Sequence, residues 1–327
     1  RACFKTGEVT TAGISTGYGT NPNLIHQTTP SALELQQALD EMRNHNVHWA
    51  VIEATSHGLD QHRVTGLAFN NVVFTSITHE HLDYHGTLTA YVESKARLLD
   101  IQAQAGGGTW GKVAVLPRDD AHWNVLRHRV KGSVISYGRM EDADVMLLRE
   151  KSSRDGIEFT AATPWGEISI SALLPGAFNI ENCLAALTCA ASIGVEPGVC
   201  AEAIATFQGV KGRMERIECG QPFEVIVDYA HTPDGLESVL RTLQDRDGRL
   251  LLLLGGAGER DRQKRPLMGA LAERFADRIV ITNEDPRRED PMKIASDIAS
   301  GVRCREFGEN VQVILDRREA IAEIFRS

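Results

Sequence analysis

The second half of the chain keeps a fixed beat, and that beat limits the fold more than any other feature. Short apolar runs recur at 223–227, 250–254, 278–282 and 311–315, and each passes through a polar loop into a helical pattern. Strands that follow one another this way lie parallel, because only a crossover helix returns the chain to the same end of a sheet. A parallel, doubly wound α/β sheet is predicted. The first half is less regular. Runs at 48–54, 71–77, 111–116 and 133–137 read as strands, and 87–99 carries apolar residues at helical spacing. Residues 142–174 alternate loosely and break at Asp155-Gly156 and Pro164-Trp165-Gly166, which predicts antiparallel hairpins. Helices are expected at 179–193 and 197–207. The stretch Gly209-Val210-Lys211-Gly212 is the natural hinge, so domains are expected at 1–210 and 211–327, two being ordinary for 327 residues.

Composition narrows the partners. Asp and Glu number 44 against 35 Lys and Arg, a net charge of −9, which argues against a nucleic-acid or anionic-membrane binder. The longest apolar run, 250–254, is far short of the ~20 residues that span a bilayer. No signal-peptide pattern opens the chain. The six cysteines (Cys3, Cys183, Cys189, Cys200, Cys219, Cys304) form no C-x-x-C pair, so neither a zinc knuckle nor a disulfide framework is indicated. A cytoplasmic protein with reduced thiols and no membrane insertion is expected.

In open α/β sheets ligands bind beyond the carboxyl ends of strands, and polar residues gather there in this sequence. Glu53 closes one strand, Thr78-His79-Glu80-His81-Leu82-Asp83-Tyr84-His85 follows another, and Asp228-Tyr229-Ala230-His231 follows a third. Glu53 either caps a nearby helix or, with His81, holds a hard divalent cation. His79, His81 and His85 either line a solvated loop or bind metal, and the lack of a nearby thiolate or an H-E-x-x-H helix disfavours zinc. Lys95, mid-helix, has a plain reading as a surface lysine. Arg213 and the run Glu259-Arg260-Asp261-Arg262 lie near strand ends, with a solvated charged loop as the plain alternative. Gly255-Gly256-Ala257-Gly258 lacks the third glycine of G-x-G-x-x-G, so it is weak support for a dinucleotide. The run from Gly106 to Val113 nearly matches a Walker A loop, but Val113 stands at the metal-binding Ser/Thr and a strand follows where a helix is needed. It is read as coincidence.

The segment Glu53-Ala54-Thr55-Ser56-His57-Gly58-Leu59-Asp60-Gln61-His62-Arg63-Val64 resembles the Mur ligases, within them the branch that adds the third residue of the peptidoglycan stem peptide. The resemblance continues, in order, through THEHLDYHGT (78–87), SKARL (94–98), LPGAFNIEN (174–182), GRMERI (212–217), VDYAHTPDGLE (227–237), GERDRQKRPLMG (258–269) and EDPRREDP (284–291). It implies a P-loop-ATPase-like central domain followed by a C-terminal Rossmann-like, doubly wound domain. It also implies ATP-dependent amide formation: a substrate carboxylate takes the γ-phosphate, and an incoming amine displaces phosphate from the acyl phosphate.

The resemblance assigns roles residue by residue. Glu53 and His81 would ligate magnesium together with Lys95, which matches a lysine carbamylated in this family; a carbamate turns an ammonium into an oxygen ligand. Asn179 and Asn182 match a pair near the nucleotide, and Arg213 and Asp228 match contacts to ATP, so Lys95, Arg213 and Asp228 are the expected catalytic set. Thr28, Thr29, Thr55, Gln61 and Arg63 match positions that hold a UDP-N-acetylmuramoyl dipeptide. Arg260, Glu284, Asp285, Pro286 and Arg287 match the pocket for the diamino acid, and His231 lies near the site. Glu284-Asp285-Pro286-Arg287 stands where D-N-P-R marks diaminopimelate-adding enzymes, and Thr55 stands where Ser is usual.

Arg1 to Gly7 resembles the segment just after the family's P-loop helix, and Ser327 falls before its G-K-G-H-E segment. The chain is therefore expected to be a piece lacking the UDP-binding domain, the P-loop and the C-terminal end. On its own it is expected to be inactive, and monomeric. Competing readings are a noncatalytic binding module, a folylpolyglutamate- or cyanophycin-type ligase, and a nicotinamide dehydrogenase. Thr28-Thr29 and Gln61-x-Arg63 argue against the second; the missing glycine and the 78–85 loop argue against the third.

Overall fold

The computed structural model describes residues 4–21, 27–78, 80–104, 111–244, 248–305 and 308–327. The chain divides into two compact units, the first comprising Arg1–Ile77 and Thr87–Lys211, the second Thr78–Gly86 and Gly212–Ser327. Among the described residues no helix is long and apolar enough to cross a membrane.

The first unit opens with a strand, Thr6–Val9, parallel to Trp49–Ile52 and antiparallel to Ile14–Ser15. The helix Ala32–Asn44 makes the crossover. Ser31 and Glu34 close a reciprocal capping box at its start, and Leu35 and Met42 bury its inner face. A six-stranded sheet follows in strict chain order: Asn71–Val73, Val113–Pro117, Ser133–Gly138, Val145–Ser152, Ile157–Thr163 and Gly166–Ala172. Its first four strands are parallel and its last two pairings antiparallel. The expected hairpins are present, turning where Asp155-Gly156 and Trp165-Gly166 break the alternation. The helix Phe178–Ser192 covers the sheet, packing Ile180, Leu184 and Leu187 against Val115, Tyr137 and Phe159.

In the second unit Leu251–Leu254, Arg278–Ile281 and Val311–Val313 form a parallel sheet in chain order. Alternate residues of its middle strand face opposite helical layers. Ile279 and Ile281 pack with Leu236, Met268 and Ile294, whereas Val280 packs with Ala320 and Ile324. The sheet is thus covered on both faces, as a parallel sheet requires. The helices Pro233–Thr242, Pro291–Ala299 and Arg317–Phe325 start on side-chain caps from Thr232, Asp290 and Asp316.

One expected strand differs. The run 223–227 does not join the parallel sheet; only Ile226–Val227 is strand, and it pairs antiparallel with Glu215–Arg216. Phe223 and Val227 are exposed, so this ribbon lacks the two covered faces of an inner parallel strand.

Candidate active site

In the first unit Thr29, fully buried, is a hydrogen-bonding hub. Its hydroxyl donates to the Glu53 carbonyl at 2.8 Å, accepts the Thr55 amide at 3.0 Å and lies 3.1 Å from the Thr55 hydroxyl. A hydroxyl has one donor and two acceptor positions, so all three are filled. Thr55 also caps the helix Ser56–Asp60, its oxygen accepting the Gly58 amide at 3.1 Å. A Cβ on Gly58 would lie 2.8 Å from the Thr29 side chain, so glycine permits this approach. His62 takes φ +58°, and Arg63 folds back so that Nη1 donates to the Thr29 carbonyl at 2.7 Å while Nε donates to Gln61 Oε1 at 3.1 Å. Glu53 Oε2 accepts the Thr11 amide (2.8 Å) and hydroxyl (2.9 Å), and the Thr11 hydroxyl lies 2.8 Å from that of Thr28. Glu53 therefore fastens the loop after the first strand and caps no helix. Thr28, Thr29, Glu53, Thr55, Gln61 and Arg63 form one connected group.

Lys95 sits on the helix Leu88–Gln104, half-buried, with its Nζ 5.1 Å from the centre of the Tyr91 ring. The residues beside it anchor that helix to Ser56–Asp60. Ser94 Oγ donates to the Ser56 carbonyl at 2.8 Å, and Arg97 pairs with Asp60 at 2.8 Å. Asn179 and Asn182 begin the helix Phe178–Ser192 as a relay: Asn182 Nδ2 donates to Asn179 Oδ1 (3.2 Å), and Asn179 Nδ2 donates to the Pro175 carbonyl (2.8 Å).

In the second unit Asp228 spans a turn, Oδ2 accepting the Met214 amide at 2.8 Å and Oδ1 the Ala230 amide at 2.7 Å. This fixes Arg213, whose guanidinium stacks 4.4 Å from the centre of the Tyr229 ring. His81 begins the short helix Leu82–His85. Burial pushes its imidazole below the usual range, Arg260 and His231 act the same way, and Glu80 and Asp83 oppose them.

Two loops form the remaining cluster. The Gly258 amide donates to the Asp285 carbonyl at 2.7 Å, and the Glu259 amide donates to Glu289 at 2.5 Å. A Cβ on Gly258 would lie 2.0 Å from the Pro286 carbonyl oxygen, so the glycine run serves loop packing. Beneath lies Arg265, 1% exposed, bonded to Glu289 at 3.0 and 3.1 Å, Asp297 at 2.8 Å and the Ala257 carbonyl at 3.2 Å. Arg265 holds the Glu289 carboxyl down at about 2, helped by the Glu259 amide. Arg260 and 284–287 are thus carried on adjoining loops, and Arg287 Nε pairs with Asp285 at 3.3 Å. Lys264 is half-buried; burial lowers its pKa against the pull of Glu80, Asp261, Asp83 and Glu284.

Glu53 and Lys95 belong to the first unit and His81 to the second. Among the described residues no three His, Cys, Asp or Glu side chains cluster as a metal site. His79, the glycine run at 106–108 and residues 1–3 lie outside the described residues. Thr11, Arg265 and Glu289 serve as supports; Arg265 and Glu289 fall within the segments 258–269 and 284–291, but their long-range partners leave no individual mark in the sequence.

Residues 2–190 match the Mur ligase middle domain and residues 212–326 the Mur ligase glutamate ligase domain. A UDP-N-acetylmuramyl-tripeptide synthetase from a Roseiflexus species is 42% identical, aligned over 98% of this chain and 65% of its own length. A UDP-N-acetylmuramoyl-L-alanyl-D-glutamate--2,6-diaminopimelate ligase from Oceanobacillus iheyensis is 38% identical, over 99% and 65% respectively. A solved structure of a UDP-N-acetylmuramoyl-L-alanyl-D-glutamate--2,6-diaminopimelate ligase superposes with TM-score 0.65 at 34% identity, covering 98% of this chain and 64% of that one. The chain thus spans about 65% of the length of these relatives. With both domain matches in order and relatives aligned along nearly all of it, the chain belongs to the Mur ligase family.

Proposed function

We propose that this chain is the middle and C-terminal part of an ATP-dependent amide ligase. It joins a diamino acid, meso-diaminopimelate, to UDP-N-acetylmuramoyl-L-alanyl-D-glutamate in the cytoplasm, for peptidoglycan synthesis. The observation that carries the reading is the group around Thr29, in which six positions from three separate segments share one hydrogen-bonded network. The names of the relatives support the substrate assignment.

The roles follow from the chemistry of each group. Thr28, Thr55, Gln61 and Arg63 hold the muramoyl dipeptide and present its carboxylate, and the buried Thr29 hydroxyl sets them in place. Asn179, Asn182, Arg213 and Asp228 serve the nucleotide, Arg213 offsetting charge that develops on the transferring phosphoryl group. The donor set suits a hard cation. Glu53 would offer a carboxylate, His81 an imidazole nitrogen, and a carbamate on Lys95 another oxygen. Bound Mg²⁺ supplies charge neutralisation for the phosphates. Arg260 and Arg287 receive carboxylates of the diamino acid, and Pro286 shapes the loop between them. Asp285 pairs with Nε of Arg287 and so competes with a substrate carboxylate for that guanidinium. Glu284 and Asp285 add negative charge that favours the substrate ammonium groups.

Competition among equal meso-diaminopimelate, lysine and ornithine, in the longest form the gene encodes, tests the reading. Incorporation of diaminopimelate well above tenfold over the others is expected, because a stranded buried charge costs about 2–5 kcal/mol. Exclusive incorporation of lysine or ornithine would show that Glu284 and Asp285 set the pocket's charge. For Lys95, ¹³C-bicarbonate should give a carbamate carbonyl signal that Lys95→Ala lacks.

A further inference from the structure

Residues 78–86 belong to the second unit, yet no described residue among them is buried. The segment contains a four-residue helix, Leu82–His85, entered through His81 at φ +56°, a left-handed conformation that a non-glycine residue holds only when its surroundings impose it. Polar side chains tie this segment to the rest of its unit.

His231 supplies such a fastening. Its Nε2 lies 2.9 Å from Glu80 Oε1, and its Nδ1 lies 3.0 Å from the Tyr229 carbonyl. A carboxylate oxygen only accepts, so Nε2 donates to Glu80, while the Tyr229 carbonyl stands against the other ring nitrogen and the ring is placed at both ends. The ring also stands edge-on to Tyr229, centroids 5.1 Å apart, and Tyr229 stacks on Arg213. Isolated exposed pairs contribute little, whereas members of a network hold one another in place. The same Glu80 Oε1 lies 3.6 Å from His81 Nε2, so one carboxylate faces both imidazoles. Carboxylates in this position orient histidines that ligate metals.

We propose that His231 is a positioning residue: by holding the Glu80 carboxylate it sets the backbone and ring orientation of His81. The consequence for cation binding rests on the proposed role of His81 as a ligand; the tether itself does not. Lys264 and Arg260 surround the segment electrostatically, and the tether fixes its geometry.

Hydrogen–deuterium exchange on this chain, without metal or nucleotide, tests the tether apart from any ligase activity. His231→Ala and Glu80→Gln should each speed exchange across 78–86 by about tenfold or more, with Arg278–Ile281 unchanged. The double variant should add nothing to either single one, and His231→Gln, which keeps a donor for Glu80, should restore most of the protection. Should His231→Ala fail to fold, Glu80→Gln decides alone. Unchanged exchange in 78–86, additive single effects, or a glutamine variant as fast as alanine would overturn the proposal. Loss of protection in 78–86 with cation-dependent ligation unchanged would count against the proposed role of His81 as a ligand, not against the tether.

Discussion

The Thr29 group and the Arg265 group are both buried polar hubs, built from opposite materials. Around the Thr29 side chain the partners are hydroxyls, amides and carbonyls, each donor matched to one acceptor. Around Arg265 they are charges, one guanidinium against Glu289 and Asp297. Neutral hubs lose little when a single bond weakens, whereas a charged hub strands its partners when the central ion goes. The first hub therefore suits a loop cluster whose hydroxyls must be held in fixed positions. The second suits a pair of loops that must be clamped.

Arg265→Met gives the largest expected effect. It removes the buried guanidinium shared by Glu289 and Asp297, leaving Glu289 only Arg262 and the Glu259 amide, and should cost about 3–5 kcal/mol, read as a lower urea midpoint for the second unit, with exchange in Trp49–Ile52 unchanged. Thr29→Val is milder. It orphans the Thr55 amide and the Glu53 carbonyl for about 1–3 kcal/mol, read the same way in the first unit. If the two losses were equal, the distinction between charged and neutral hubs would fail. Gly258→Ala should cost about 1–3 kcal/mol through the clash with the Pro286 carbonyl and displace 284–287, read as weaker diaminopimelate binding.

Acid sharpens the contrast. The Glu289 carboxyl is depressed from 4.5 to about 2, so its stabilisation is full above about pH 4.5 and is lost as pH falls toward 2. The stability gap between the natural protein and Glu289→Gln should close over that window. A gap of constant size down to pH 2 would contradict the assigned pairing. Smallest is Asp285→Asn, which frees Arg287 Nε from an exposed pair and should tighten diaminopimelate binding about twofold.

Legibility followed the range of the forces involved. The hairpins of 145–172 were readable because Gly156, Trp165 and Gly166 mark turns locally, and the three parallel strands because each is a short apolar run that leads through a polar loop into a helix. Residues 223–227 misled for the same reason, since an apolar run does not reveal whether both faces are covered. The helix Ala32–Asn44 carries its start signal in the Ser31–Glu34 capping box. Arg265 was invisible among neighbouring arginines, because its burial depends on carboxylates 24 and 32 residues away. Thr29 is similar, its partners lying 24 and 26 residues on; only family resemblance pointed to it.

The most direct test of the central claim follows one oxygen. The longest form the gene encodes is given ATP, meso-diaminopimelate and a muramoyl dipeptide whose glutamyl carboxylates carry ¹⁸O. If the carboxylate attacks the γ-phosphate and the amine then displaces phosphate, each amide formed releases one phosphate bearing one ¹⁸O. Unlabelled phosphate accompanying amide formation would contradict the acyl phosphate and the ligase account built on it.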